Sequence, residues 1–182
     1  MFAYCGNNPA NFSDPSGLLF RNAFKFLEEW LFGTGEKKEY DEESGLSRKF
    51  KRSKKMRSIV DEAYQQFTDT GKLHFDGTCE FTSSDSLDLY LTAQNVSYTI
   101  DFTTEAHMEK RLYGFLVIEV QSYYTYARVK ISDTYDFDLK DWNGVGNIMN
   151  NIACLSQGIF GIGTDYDWSA EYIVIYREDG KI

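Results

Sequence analysis

Ala170-Glu171-Tyr172-Ile173-Val174-Ile175-Tyr176-Arg177 sets Ala, Tyr, Val and Tyr in alternation with Glu, Ile, Ile and Arg. Successive side chains of an extended strand point to opposite faces, so a period of two marks a strand. The same period recurs upstream. Tyr98, Ile100 and Phe102 alternate with Thr99, Asp101 and Thr103, and Ala127, Val129 and Ile131 alternate with Tyr126, Arg128 and Lys130. Several such segments, rich in Tyr, Thr, Val and Ile, predict an antiparallel sheet.

Toward the N-terminus the period changes to that of a helix. Leu19, Phe20, Ala23, Phe24, Leu27, Trp30 and Leu31 predict one helix over 19–32, ended by Gly33. Met56, Ile59, Val60, Ala63, Tyr64 and Phe67 predict a second, with Gly71 just past its end. Residues 34–55 between them offer little to bury and read as an exposed, charged linker. Seven of the ten residues from 48 to 57 are basic, but Phe50 is their one aromatic, so solvated charge is expected here in preference to a nucleic-acid patch. Ile148, Met149, Ile152, Ala153 and Leu155 predict a short helix stopped by Gly158, before the last strand. Helices first, then sheet with one inserted helix, give an α+β fold. The expected organisation is a terminal motif at 1–18, a helix plus charged linker at 19–55, and an α+β domain at 56–182.

Composition narrows the classes. Apolar residues at 42% and aromatics at 16% suit a packed core, and 182 residues suffice for one domain plus an appendage. The net charge of −9 arises entirely after residue 71, which makes broad nucleic-acid binding by that part unsupported. The longest clean apolar run, 113–118, is far short of a membrane span and is expected in a strand. No basic start leads into an apolar stretch and a cleavage site, so no secretion signal of its own is expected. Cys5, Cys79 and Cys154 form no CxxC pair and read as buried or idle thiols. His74 and His107 are the only histidines, in no metal-ligand spacing, and are expected at the surface.

Residues 1–18 are dense in turn-forming Asn, Pro, Gly, Ser and Asp. Tyr4-Cys5-Gly6-Asn7-Asn8-Pro9, Asn11-Phe12 and Asp14-Pro15-Ser16-Gly17-Leu18 together resemble the terminal motif of the repeat-associated core of Rhs/YD-repeat proteins. In that family the core forms a closed β shell around a variable C-terminal domain. The resemblance implies that the chain beyond Leu18 is a toxin-like effector used in interbacterial competition. It also implies a parent Rhs core, a cognate immunity protein, and delivery outside the producing cell. Asp14 would assist self-cleavage after Leu18.

Asp133-Thr134-Tyr135-Asp136-Phe137-Asp138 and Asp141 crowd four carboxylates at the end of a strand. Such crowding is tolerated in solvent, around a cation, or where a raised pKa supplies an acid. Asp133 and Asp136 are therefore the candidate base and acid, with Tyr135 as donor to a developing oxyanion. Ordinary turn-capping by these aspartates is the alternative. The stretch also resembles the DxYD motif of the colicin M family, which cleaves the lipid-linked precursor of peptidoglycan. That resemblance implies a hydrolase using magnesium, although the family's following histidine has no counterpart after His107. Two further expectations stay open: a non-enzymatic module binding an envelope component or a protein through its aromatic sheet face, and an inactive, displaced Rhs tip.

Overall fold

The computed structural model describes residues 21–82, 84–135, 163–177 and 180–181, with side chains described for all but 21–24, 87, 91 and 180–181. The terminal motif at 1–18 (with Cys5, Asp14 and Leu18), Asp136, the helix expected near 148–155 and Cys154 lie outside the described residues. The fold is α+β, with a mostly antiparallel sheet. Its elements are α1 (Arg21–Phe32), β1 (Lys38–Tyr40), α2 (Gly45–Arg52), α3 (Lys54–Thr70), β2 (His74–Glu80), α4 (Leu87–Thr92), β3 (Asn95–Tyr113), β4 (Leu116–Tyr135), β5 (Tyr166–Arg177) and β6 (Gly180–Lys181). Strand order is β1-β5-β4-β3-β2, with β6 pairing antiparallel to β5. The three segments of period two form the centre of this sheet as β3, β4 and β5.

The chain divides into two compact units. The first holds α1, the stretch 80–96 with α4, and the described parts of Ser132–Trp168. Phe26 and Trp30, one turn apart on α1, are both buried. The Phe26 ring meets Tyr135 at 5.2 Å, Trp168 at 5.3 Å and Tyr166 at 5.8 Å, in edge and tilted geometries favoured by the ring quadrupole. The end of α1 is satisfied from 163–166. Thr164 N–H donates to the Trp30 carbonyl at 2.8 Å, the Trp30 indole donates to Asp165 at 3.1 Å, and the Tyr166 hydroxyl reaches the Phe26 carbonyl at 3.2 Å. Gly163 has φ 97°, and a Cβ there would fall inside the Trp30 ring.

The second unit contains α2, α3, β2 and the greater parts of β3, β4 and β5. One face of its strands buries Ile100, Phe102, Ala127, Val129, Ile131, Tyr172, Val174 and Tyr176. Helix α3 packs on this face through Tyr64 and Phe67. Tyr64 stacks on Tyr176 with centroids 3.8 Å apart, and Phe67 stacks on Phe102 at 4.9 Å. Gly71 ends α3 in the left-handed conformation, φ 73°, as its position in the sequence predicts.

Two expectations are corrected. Residues 34–55 are not a plain exposed linker, since they contain β1 and α2, and α2 buries Leu46 and Phe50. Two large side chains on one helical face suffice to dock an otherwise charged helix. The apolar run 113–118 does not sit within one strand: Tyr113 ends β3, Gly114 and Phe115 form the turn, and Leu116 begins β4. Gly114, at φ 62°, takes the positive φ that a two-residue hairpin loop needs at its first position. Strand β2 and helix α4 have no strong periodicity in the sequence and emerge only in the structure.

Phe50→Ala should lower unfolding free energy by about 3–5 kcal/mol, the cost of emptying a buried aromatic site, whereas a linker residue would cost almost nothing. Denaturant titration followed by circular dichroism decides between them. By the same measurement Gly71→Ala should cost about 1 kcal/mol, for backbone strain alone. Gly163→Ala should cost more, because the new methyl also displaces the Trp30 ring.

Candidate functional site

Three places bear on function. The first is the sequence-predicted acidic cluster. Asp133 is half-buried near the end of β4, with Tyr135 two residues on, which puts the pair on one face of the strand. Tyr135 packs on Phe26 and Tyr166, and burial pushes its phenol pKa well above the ordinary value of 10. It therefore keeps its proton and contributes packing as much as polarity. Thr134, on the opposite face, donates to Asp167 at 2.7 Å. Asp136 lies outside the described residues, so its convergence with Asp133 belongs to the sequence reading only. Among the described residues, no three His, Cys, Asp or Glu side chains gather as a metal site.

The second is the basic run. Arg48, Lys51, Arg52 and Arg57, with Glu42 and Asp61, line a cleft of about 710 Å³ beside Ile173, Val174 and Ile175. Most of this charge serves the helices. The Arg48 guanidinium donates to the carbonyls of Glu43 and Ser44, Arg57 donates to the Lys51 carbonyl at 3.2 Å, and Lys51 pairs with Glu42 at 3.3 Å. Arg57 thus closes a carbonyl in the last turn of α2, where a cation is favoured, while Arg48 ties down the chain entering that helix.

The third place is the face of β3, β4 and β5 opposite the one packed by α3, and the sequence reading does not single it out. His107, Glu109 and Arg111 alternate along β3, and Ser122, Tyr124 and Tyr126 alternate along β4, so each set projects from one face. Glu109 is the hub. One carboxylate oxygen accepts from the Tyr124 hydroxyl, while the other accepts from Ser122 at 3.1 Å and from Arg177 at 2.9 Å, and lies 3.5 Å from Arg111. Arg111 also donates to Ser122 at 3.1 Å. The Arg177 guanidinium lies over the Tyr124 ring at 5.8 Å. His107 stands edge-on to Tyr124 at 5.2 Å, with its Nε2 at 3.4 Å from both the Tyr126 hydroxyl and Glu105.

These contacts fix the charge states. The Tyr124 hydrogen bond, then Ser122 and Arg111, hold the Glu109 carboxyl below its ordinary value of 4.5, against the opposing effect of desolvation. The same hydrogen bond, with desolvation, pushes the Tyr124 phenol up. An ionised Glu109 that already accepts from several donors is a poor proton acceptor, and its effect is to hold two guanidinium groups side by side. A guanidinium carries five N–H donors in a fork that matches paired oxygens, so Arg111 and Arg177 bring a donor-rich, positively charged edge to this face. An imidazole, two phenols and two guanidiniums on one surface can bind an anionic group and move a proton beside it.

The signal was present in the sequence. Glu105, His107 and Glu109 alternate with Ala106 and Met108, a polar period of two that Lys110 interrupts before Arg111. Both histidines are at the surface, as expected, with His74 Nδ1 donating to the Asp101 carboxylate at 2.6 Å. Cys79 is buried, as expected.

Because the folded protein holds Glu109 below 4.5, its network stabilises the fold at pH above 4.5, and this contribution disappears as pH falls through the folded-state value. The gap in thermal midpoint between the native chain and Glu109→Gln should be largest near neutral pH and close on acidification. A gap independent of pH would contradict the assigned network.

No family model, curated protein or solved structure matches the chain.

Proposed function

We propose that the chain carries the variable effector of an Rhs/YD-repeat protein, delivered to competing bacteria, and that it cleaves an oxyanion-bearing substrate at the Glu109 face. The motif from Tyr4 to Leu18 supports the first half of this reading. The observation that carries the second is the convergence of His107, Arg111, Tyr124 and Arg177 around Glu109 on one strand face.

In this reading the positively charged edge formed by Arg111 and Arg177 attracts and orients the substrate's anionic group. Guanidinium forks match the paired oxygens of phosphate or carboxylate. The cleavage is a hydrolysis: His107 takes a proton from the attacking water and passes it to the leaving group, so that one bond to the anionic centre forms as the other breaks. Glu109 and Ser122 act as positioning residues that set the two guanidiniums. An effector of this kind requires a cognate immunity protein in the producing cell, and the parent Rhs core as its carrier. Asp133, Tyr135 and Asp136, with magnesium, form the competing site.

The test is growth of a bacterial host expressing the chain under tight control, in the cytoplasm and with an export signal. Arrest should occur in one compartment and be relieved by His107→Ala with Arg177→Gln, provided circular dichroism and the thermal midpoint show a retained fold. Relief by Asp133→Ala but not by the His107 and Arg177 changes would move the chemistry to the strand end. Absence of arrest with soluble, folded protein in both compartments would overturn the effector reading.

A further inference from the structure

Strands β3 and β4 have 19 and 20 residues, whereas their neighbours β2 and β5 have 7 and 12. At its C-terminal end β5 reaches the level of Glu109, where Arg177 meets that carboxylate at 2.9 Å. The hairpin continues beyond this point through Lys110 to Tyr113 and back from Leu116, roughly 13 Å at 3.3 Å per residue. A two-stranded arm of this kind is marginal in water.

Its end is apolar all round. Arg111, Ser122 and Glu109 share one face, and the strand period places Tyr113, Leu116 and Ile118 on that same face. Lys110 and Glu119, 3.9 Å apart, mark the other face, which carries Leu112 and Val117. Phe115 stands at the turn between them, fully exposed. Leu112 is 71% exposed, Leu116 70% and Val117 63%, so these side chains lack the cover that apolar groups of this size gain on folding.

We infer that the tip of the β3–β4 hairpin inserts into the apolar layer of a lipid bilayer. The distribution of side chains selects this partner. A flat protein surface, or a second copy of the chain, would cover one face and leave the other in water, whereas hydrocarbon surrounds both faces and the turn. The apolar part spans two residues on one strand, three on the other and the turn, which matches the roughly 5–10 Å depth of interfacial insertion. Lys110 comes immediately after, where a basic side chain extends to the headgroups, and Tyr113 has the amphipathic ring favoured at that level. The insertion stands independently of the chemistry proposed for the Glu109 face.

The experiment is sedimentation of the full chain with phosphatidylcholine vesicles, an uncharged surface that leaves the apolar contribution to act alone. The native chain should pellet with the vesicles. Phe115→Ser with Leu116→Ser should weaken partitioning by about tenfold or more while leaving the thermal midpoint unchanged, because neither side chain is buried. As a second readout, Phe115→Trp should gain a blue-shifted emission component with vesicles that brominated acyl chains quench. Failure of the native chain to pellet would overturn the inference, as would equal pelleting of the double variant. A native dimer in sedimentation velocity that the double variant converts to monomer would assign the tip to a second copy, and would also overturn it.

Discussion

The second unit depends on the stacking of Tyr64 on Tyr176, with ring planes within 5° and centroids 3.8 Å apart. The Tyr176 hydroxyl also donates to Asp61 at 2.7 Å, so β5 is tied to α3 by a ring face and a polar tip together. Burial, reinforced by Asp61, pushes the Tyr176 phenol far above its ordinary value and keeps that donor protonated. With α3 on one side of β5, the next residue, Arg177, must project from the other, which is where Glu109 receives it. One strand thus serves the core through Tyr172, Val174 and Tyr176 and the polar face through Arg177.

How much of this could be read from the sequence depended on which side chains carried the pattern. The strands with buried faces announced themselves, since Ile100 and Phe102, or Val129 and Ile131, repeat at the period of the backbone. Helix α3 did so for the same reason, and Gly71 marked its end. Helix α2 was hidden because Leu46 and Phe50 are only two apolar residues among Arg48, Lys49, Lys51 and Arg52, in a stretch that otherwise offers little to bury. The hairpin turn within 113–118 was hidden by the opposite fault: an unbroken apolar run looks like one strand, and only Gly114 hinted otherwise.

The candidate site was less legible than the fold. A crowd of carboxylates near Asp133 drew attention because such residues are adjacent in sequence. The Glu109 network draws on three strands, with Arg177 arriving from 68 positions away, and separation of that kind is invisible until strand pairing is known. What was visible was Glu105, His107 and Glu109 in alternation with Ala106 and Met108, a period-two pattern in polar residues. It has the same geometric meaning as an apolar one, since either kind of side chain is delivered to a single face.

Ser53 joins α2 to α3. Its N–H closes the carbonyls of Lys49 and Phe50, both at 3.0 Å, while its hydroxyl accepts from the Met56 N–H that opens the next helix. A joint of one residue that ends one helix and begins another has no slack. Lengthening the chain there would separate the two caps, and α2 would lose its fixed direction relative to α3. Change in chain length should therefore be borne by the longer connections, and the 52–54 junction should behave as a rigid elbow whose geometry is set by a single pair of backbone angles.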